Sequence, residues 1–136
     1  MITGYRDLIV WQKATDACAS IYALTRSFPQ EEIYGLTSQM RRAAVSVASN
    51  IAEGRGRASR QEFKQFLLIA RGSLCELETQ LIIAEKLDYI NKSQFDDLMS
   101  LYAEIGKMLN SLIMKLAQKP QSAPSSPDPR SLIPDP

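Results

Sequence analysis

One stretch of this 136-residue chain constrains its fold more than any other. Phe63, Leu67, Ala70, Leu74, Leu77, Leu81 and Ala84 follow one another at alternating steps of four and three. A strand places every second residue on one face. An α-helix turns once in about 3.6 residues, so it alone lines up all seven positions. Strict alternation of four and three is the seam of a helix packed lengthwise against other helices. Ser59-Arg60-Gln61-Glu62 ahead of it is a capping box, in which the Ser59 hydroxyl accepts from the Glu62 amide and the Glu62 carboxylate from the Ser59 amide. The helix is expected to end near Leu87.

Three further segments carry the same period. The first runs from Asp7, as a cap, to Phe28, with Leu8, Trp11, Ala14, Cys18, Ile21 and Thr25 on one face and Pro29 as the stop. The second runs from Tyr34 to Glu53, with Leu36, Met40, Ala43, Ala44, Val47 and Ile51 as its apolar face and Gly54 as the C-terminal stop. The fourth starts near Ser93, with Asp96 three residues on, and repeats Phe95, Leu98, Tyr102, Ile105, Leu109, Leu112 and Leu116. Lys115 and Lys119 suit the negative end of its dipole. Short links between four such helices predict an all-α fold, an antiparallel up-down-up-down four-helix bundle over residues 1–117. Six of the seven prolines fall in residues 118–136, interleaved with serine, so this stretch reads as a Pro/Ser-rich disordered tail.

A bundle helix needs one apolar stripe, and the third segment has two. Leu68, Cys75 and Ile82 are spaced by seven, with Ile69 and Ile83 beside them. The fourth adds Met99, Leu101, Met108 and Ile113, which either widen the core face or join a surface patch. An exposed patch of that size is uncommon on a monomer, so self-association is expected. Gly72 and Gly106, inside helices at about 1 kcal/mol each relative to Ala, point to close helix approach, within or between subunits.

The chain has no histidine and two cysteines, Cys18 and Cys75. That removes the commonest general base and metal ligand, and with them the Glu-x-x-His pairs of di-metal bundles. No cofactor, no metal site and no enzymatic activity are expected. Both cysteines lie on apolar faces and read as buried thiols. No secretory leader and no membrane span is recognisable, the longest charge-free run of the helical region being Ala43–Ala52, and a cytoplasmic location is expected.

The overall balance of 16 basic and 15 acidic residues hides an asymmetry. Residues 41–71 hold seven basic side chains, Arg41, Arg42, Arg55, Arg57, Arg60, Lys64 and Arg71, against Glu53 and Glu62. Residues 72–136 hold six basic and nine acidic ones. Guanidinium forks match phosphate oxygens, and Gly54 and Gly56 loosen the backbone between them. The seven are therefore candidate nucleic-acid contacts, with Arg55, Arg57 and Arg60 expected to be the most exposed. The alternative is a solvated stretch that pairs with the acidic second half. The pattern matches no phosphate-loop motif. Arg42, Ser46, Ser49, Asn50 and Glu53 form a polar stripe. Asn50 and Glu53 read as a buried polar clasp to the third helix or to a neighbouring subunit, with Arg42 or Arg71 as the cation for Glu53.

Asp7-Leu8-Ile9-Val10-Trp11-Gln12-Lys13-Ala14, Tyr34-Gly35-Leu36, Gln39–Val47 and Ser49-Asn50-Ile51-Ala52-Glu53-Gly54 resemble the bacterial four-helix-bundle family encoded in intervening sequences of 23S rRNA genes. Glu62-Phe63, Phe66-Leu67, Ile69-Ala70, Gly72-Ser73 and Glu76-Leu77-Glu78 continue the likeness, which spans about residues 5–117. It implies a homopentamer, and a distant kinship to the nucleic-acid-binding accessory proteins of diversity-generating retroelements. It supplies no catalytic residues. Two functions follow as expectations: an oligomeric bundle that binds structured RNA or other nucleic acid through the basic stretch, or a protein-interaction scaffold that binds none.

Overall fold

The computed structural model of the protein describes residues 4–118. All four helices form: α1 over Ile9–Thr25, α2 over Leu36–Arg55, α3 over Arg60–Lys86 and α4 over Lys92–Ala117. Single 3-10 turns at Tyr5–Asp7 and Gln30–Glu32 precede α1 and α2. The described residues contain no strand. Each helix packs on its neighbours in the chain and α1 closes against α4, while α1 and α3, like α2 and α4, stay apart. The core fills the middle of this ring of four, with Ile21, Met40, Ile51, Leu77, Leu81, Tyr102 and Ile105 fully enclosed.

The seam of α3 buries as its spacing predicts. Leu67, Ala70, Leu74, Leu77, Leu81 and Ala84 are all inside, and Phe63 is half-buried at the end. The Ser59 hydroxyl accepts from the Glu62 amide at 3.0 Å. The returning contact differs from the expected box, because the hydroxyl itself donates to the Glu62 carboxylate at 3.2 Å.

Several ends depart from expectation for local reasons. Asp7 does not cap α1: it lies in the preceding 3-10 turn, and Leu8 occupies the N-cap without a side-chain bond. The α1 helix ends at Thr25, short of Phe28, which instead turns inward against the Tyr89 ring at 5.2 Å. Gly54 does not stop α2. It is buried inside the helix, and Gly56 takes the C-cap. A Cβ on Gly54 would lie 2.7 Å from Phe66 Cβ and 3.0 Å from a Phe63 ring carbon, so its bare backbone is what lets α3 close in. Asn91 and Gln94, rather than Ser93 and Asp96, form the capping box of α4. The α4 seam follows Leu98, Tyr102, Ile105 and Leu109 and then buries Ile113, leaving Leu112 half-buried. Beyond Gln118 the expected prolyl tail, with Lys119, lies outside the described residues.

Most of the second stripe on α3 faces outward, while Leu68 is half-buried against the core. Ile69 is 52% exposed, Ile82 39% and Ile83 41%. Cys75 is exposed too, against the expectation of a buried thiol, because it belongs to this outer face; Cys18 is half-buried. On α4 the extra residues widen the core face: Ile113 is buried, and Met99, Leu101 and Met108 are half-buried. A Cβ on Gly106 would lie 3.6 Å from a Leu74 methyl, an ordinary contact, whereas a Cβ on Gly72 would meet none of the described residues within 4 Å. No described helix is long and apolar enough to cross a membrane.

Candidate nucleic-acid interface

The link between α2 and α3 gathers three of the seven predicted basic residues at one end of the molecule. Arg55 sits in the last turn of α2, 6.0 Å from the Phe63 ring. It is half-buried rather than among the most exposed, because the helix runs past Gly54 and carries it against α3. Arg57 is exposed, bonded to the Glu53 carboxylate at 2.7 Å and stacked 4.8 Å over the Phe66 ring. Arg60 is exposed and donates to the Lys115 carbonyl at 2.7 Å and the Gln118 carbonyl at 3.4 Å. Those bonds place a cation on the negative end of the α4 dipole. Lys64, one turn along α3, has no hydrogen bond or ion pair among the described residues.

The remaining three lie elsewhere. Arg71 reaches α4 and donates to the Asn110 side chain at 3.1 Å. Arg41 turns toward α1: its Nε donates to the buried Thr25 hydroxyl at 2.8 Å, and its guanidinium covers the Tyr22 ring at 4.8 Å. This is a tie between helices, and phosphate would have to displace it. Arg42 is exposed beside a polar groove between α2 and α3, lined by Gln39, Ser46, Ser73 and Glu76.

The polar clasp forms with different members. Asn50 donates to the Ser46 carbonyl at 2.8 Å and to its hydroxyl at 3.0 Å. The Ser46 hydroxyl then meets the Ser73 hydroxyl at 2.7 Å, and that bond crosses from α2 to α3. Glu53 takes no part. It is exposed, and its cation is Arg57 one turn on, not Arg42 or Arg71. Ser73 was identifiable as the polar residue just before Leu74, on the edge of α3 that turns to α2.

Two other polar contacts bear on stability. The Glu32 carboxylate accepts from the Leu36 amide at 3.1 Å and the Tyr89 hydroxyl at 2.8 Å. The backbone bond first, and then the Tyr89 bond, hold its pKa below the usual value. The same bond to Glu32 pushes the Tyr89 hydroxyl up. Burial, with Cys18 nearby, raises the Tyr102 hydroxyl, which is enclosed without a hydrogen-bond partner among the described residues. No group of three or more Cys, Asp or Glu side chains among the described residues could hold a metal ion.

The model of the 23S rRNA-intervening sequence protein family matches residues 6–111. Among solved structures, the chain is similar to a protein of unknown function from the S23 ribosomal protein family of Bacteroides thetaiotaomicron, with a TM-score of 0.70 and 26% identity. That likeness covers 77% of this chain and 98% of the other. No curated protein matches.

Proposed function

The chain belongs to the 23S rRNA-intervening sequence protein family, and on that premise we propose that it is a non-enzymatic, cytoplasmic, oligomeric bundle that binds structured RNA. Its helices run antiparallel, up-down-up-down, and five copies form a homopentamer. The antiparallel reading rests on the short links and on the pairs that join α3 to α4: Arg60 with Lys115, Arg71 with Asn110 and Leu74 with Gly106, where one number rises as the other falls. Self-association rests on the exposed Ile69, Ile82 and Ile83.

The observation that carries the RNA reading is the cluster of Arg55, Arg57, Arg60 and Lys64 around the α2–α3 link. Stacking of Arg57 over Phe66 restricts its guanidinium at the surface, so less side-chain entropy is lost when it meets a phosphate. Five copies on one assembly multiply the contacts, and counterion release grows with their number. Replacing Arg55, Arg57 and Arg60 with Ala should weaken RNA binding by a similar factor across sequences. The log–log salt slope should become shallower by roughly one for each phosphate no longer neutralised. Because Arg60 also holds the end of α4, K64E serves as a second variant that breaks no described contact. Unchanged affinity and slope in both would refute the assignment.

A protein-interaction scaffold that binds no nucleic acid is the second reading. Tyr34, 94% exposed next to Ile33 at 45%, favours it. Y34S should then abolish capture of a protein partner and leave RNA titrations flat.

A further inference from the structure

We propose that the groove between the start of α1 and the last turns of α4 is covered by the chain's own C-terminal segment, Arg130-Ser131-Leu132-Ile133-Pro134-Asp135-Pro136. The groove holds about 480 Å³. Leu8, Ile9, Val10, Met108 and Leu112 make its floor, with Asp7, Lys107 and Lys115 on the rim. Ile9 is 58% exposed in it. None of the three rim charges has an ion pair among the described residues. An apolar floor ringed by one free anion and two free cations fits a short peptide with aliphatic residues between opposite charges.

The C-terminal segment has that composition. Leu132 and Ile133 are the only large aliphatic residues after Gln118, with Arg130 before them and Asp135 after. In the assigned pose the two aliphatics cover the floor, Arg130 pairs with Asp7, and Asp135 pairs with a rim lysine. From Arg130 to Asp135 an extended chain spans about 16 Å. Lys107 and Lys115 lie about 12 Å apart along α4. Pro134 fixes its own φ and so lowers the entropy lost on docking.

The end of α4 puts the segment within reach. Lys115 is both a rim residue and the residue whose carbonyl Arg60 binds, so the chain leaves Gln118 beside the groove. The fourteen steps from Gln118 to Leu132 span up to about 46 Å. That is ample for the chain to double back along the last turns of α4.

Full-length protein with labelled methyl groups tests this by nuclear Overhauser effects. The result expected is proximity of Leu132 and Ile133 to Ile9, Met108 and Leu112. In the full-length L132S/I133S variant those cross-peaks should vanish and the Ile9 methyl should shift. A sample mixed from differently labelled chains separates proximity within a chain from that between chains. Absence of any cross-peak from Leu132 and Ile133 to the groove would overturn the proposal. So would cross-peaks seen only between chains, or a groove filled by Ile69, Ile82 or Ile83 of a second copy.

Discussion

Glycine has opposite value at two helical positions, and the neighbours decide which. At Gly54 a methyl would collide with Phe66 and Phe63, whose positions the α2–α3 contact holds. Overpacking of that kind costs about 1–3 kcal/mol, against a helix-propensity gain of about 1 kcal/mol. G54A should therefore lower the midpoint of urea unfolding. At Gly106 the added methyl would meet Leu74 at an ordinary distance, so only the propensity term acts. G106A should stabilise the fold by about 0.5–1 kcal/mol in the same assay. Thr25 gives a polar counterpart: its buried hydroxyl donates to the Ile21 carbonyl at 2.8 Å and accepts from Arg41. T25V removes both bonds and should cost about 1–3 kcal/mol of unfolding free energy.

Between elements, the Glu32–Tyr89 hydrogen bond joins the α1–α2 link to the α3–α4 link, beside the Phe28–Tyr89 ring contact. Glu32 has a lowered folded-state pKa, so its contribution is complete above the ordinary carboxylate value of about 4.3 and is lost as pH falls through the lower folded value. Tyr89 is raised, so its contribution holds below about 10 and is lost as pH rises through the raised value. E32Q should flatten the acid side of a stability-versus-pH curve, and Y89F the alkaline side. The capping box at Asn91 makes a separate prediction: N91A should cost about 1 kcal/mol, read by thermal unfolding. The four helices were legible because their apolar period spans many turns, and the α3 seam from Leu67 to Ala84 buried without exception. Their ends were less so, since each depends on contacts from distant residues. Gly54 reads as a stop until Phe63 and Phe66 are seen against it. Asp7 reads as a cap until the 3-10 turn is seen to hold it one residue ahead of Leu8, which takes the N-cap. The basic stretch was legible as a charge excess, but its partition was not. Arg41, Arg55, Arg60 and Arg71 are drawn into contacts whose partners lie on other helices or across the link.

For the whole molecule, assembly and RNA binding are linked claims. If the outer face of α3 is buried between copies, I82E/I83E should reduce the mass in light scattering to that of a single 15.2 kDa chain while leaving helix content unchanged. Multivalency makes the second claim sensitive to the first, because separate chains would each contribute only one set of basic contacts. The decisive experiment is a salt titration of purified, nucleic-acid-free protein against a structured RNA and a matched DNA duplex, with the mass of the complex read by light scattering. Sub-micromolar binding to RNA by a pentamer-sized species, falling steeply with salt, is the expected outcome. No binding to either nucleic acid at low salt would contradict it, and the arginines around the α2–α3 link would then serve the fold, through contacts that include Glu53, Phe63, Phe66 and the end of α4.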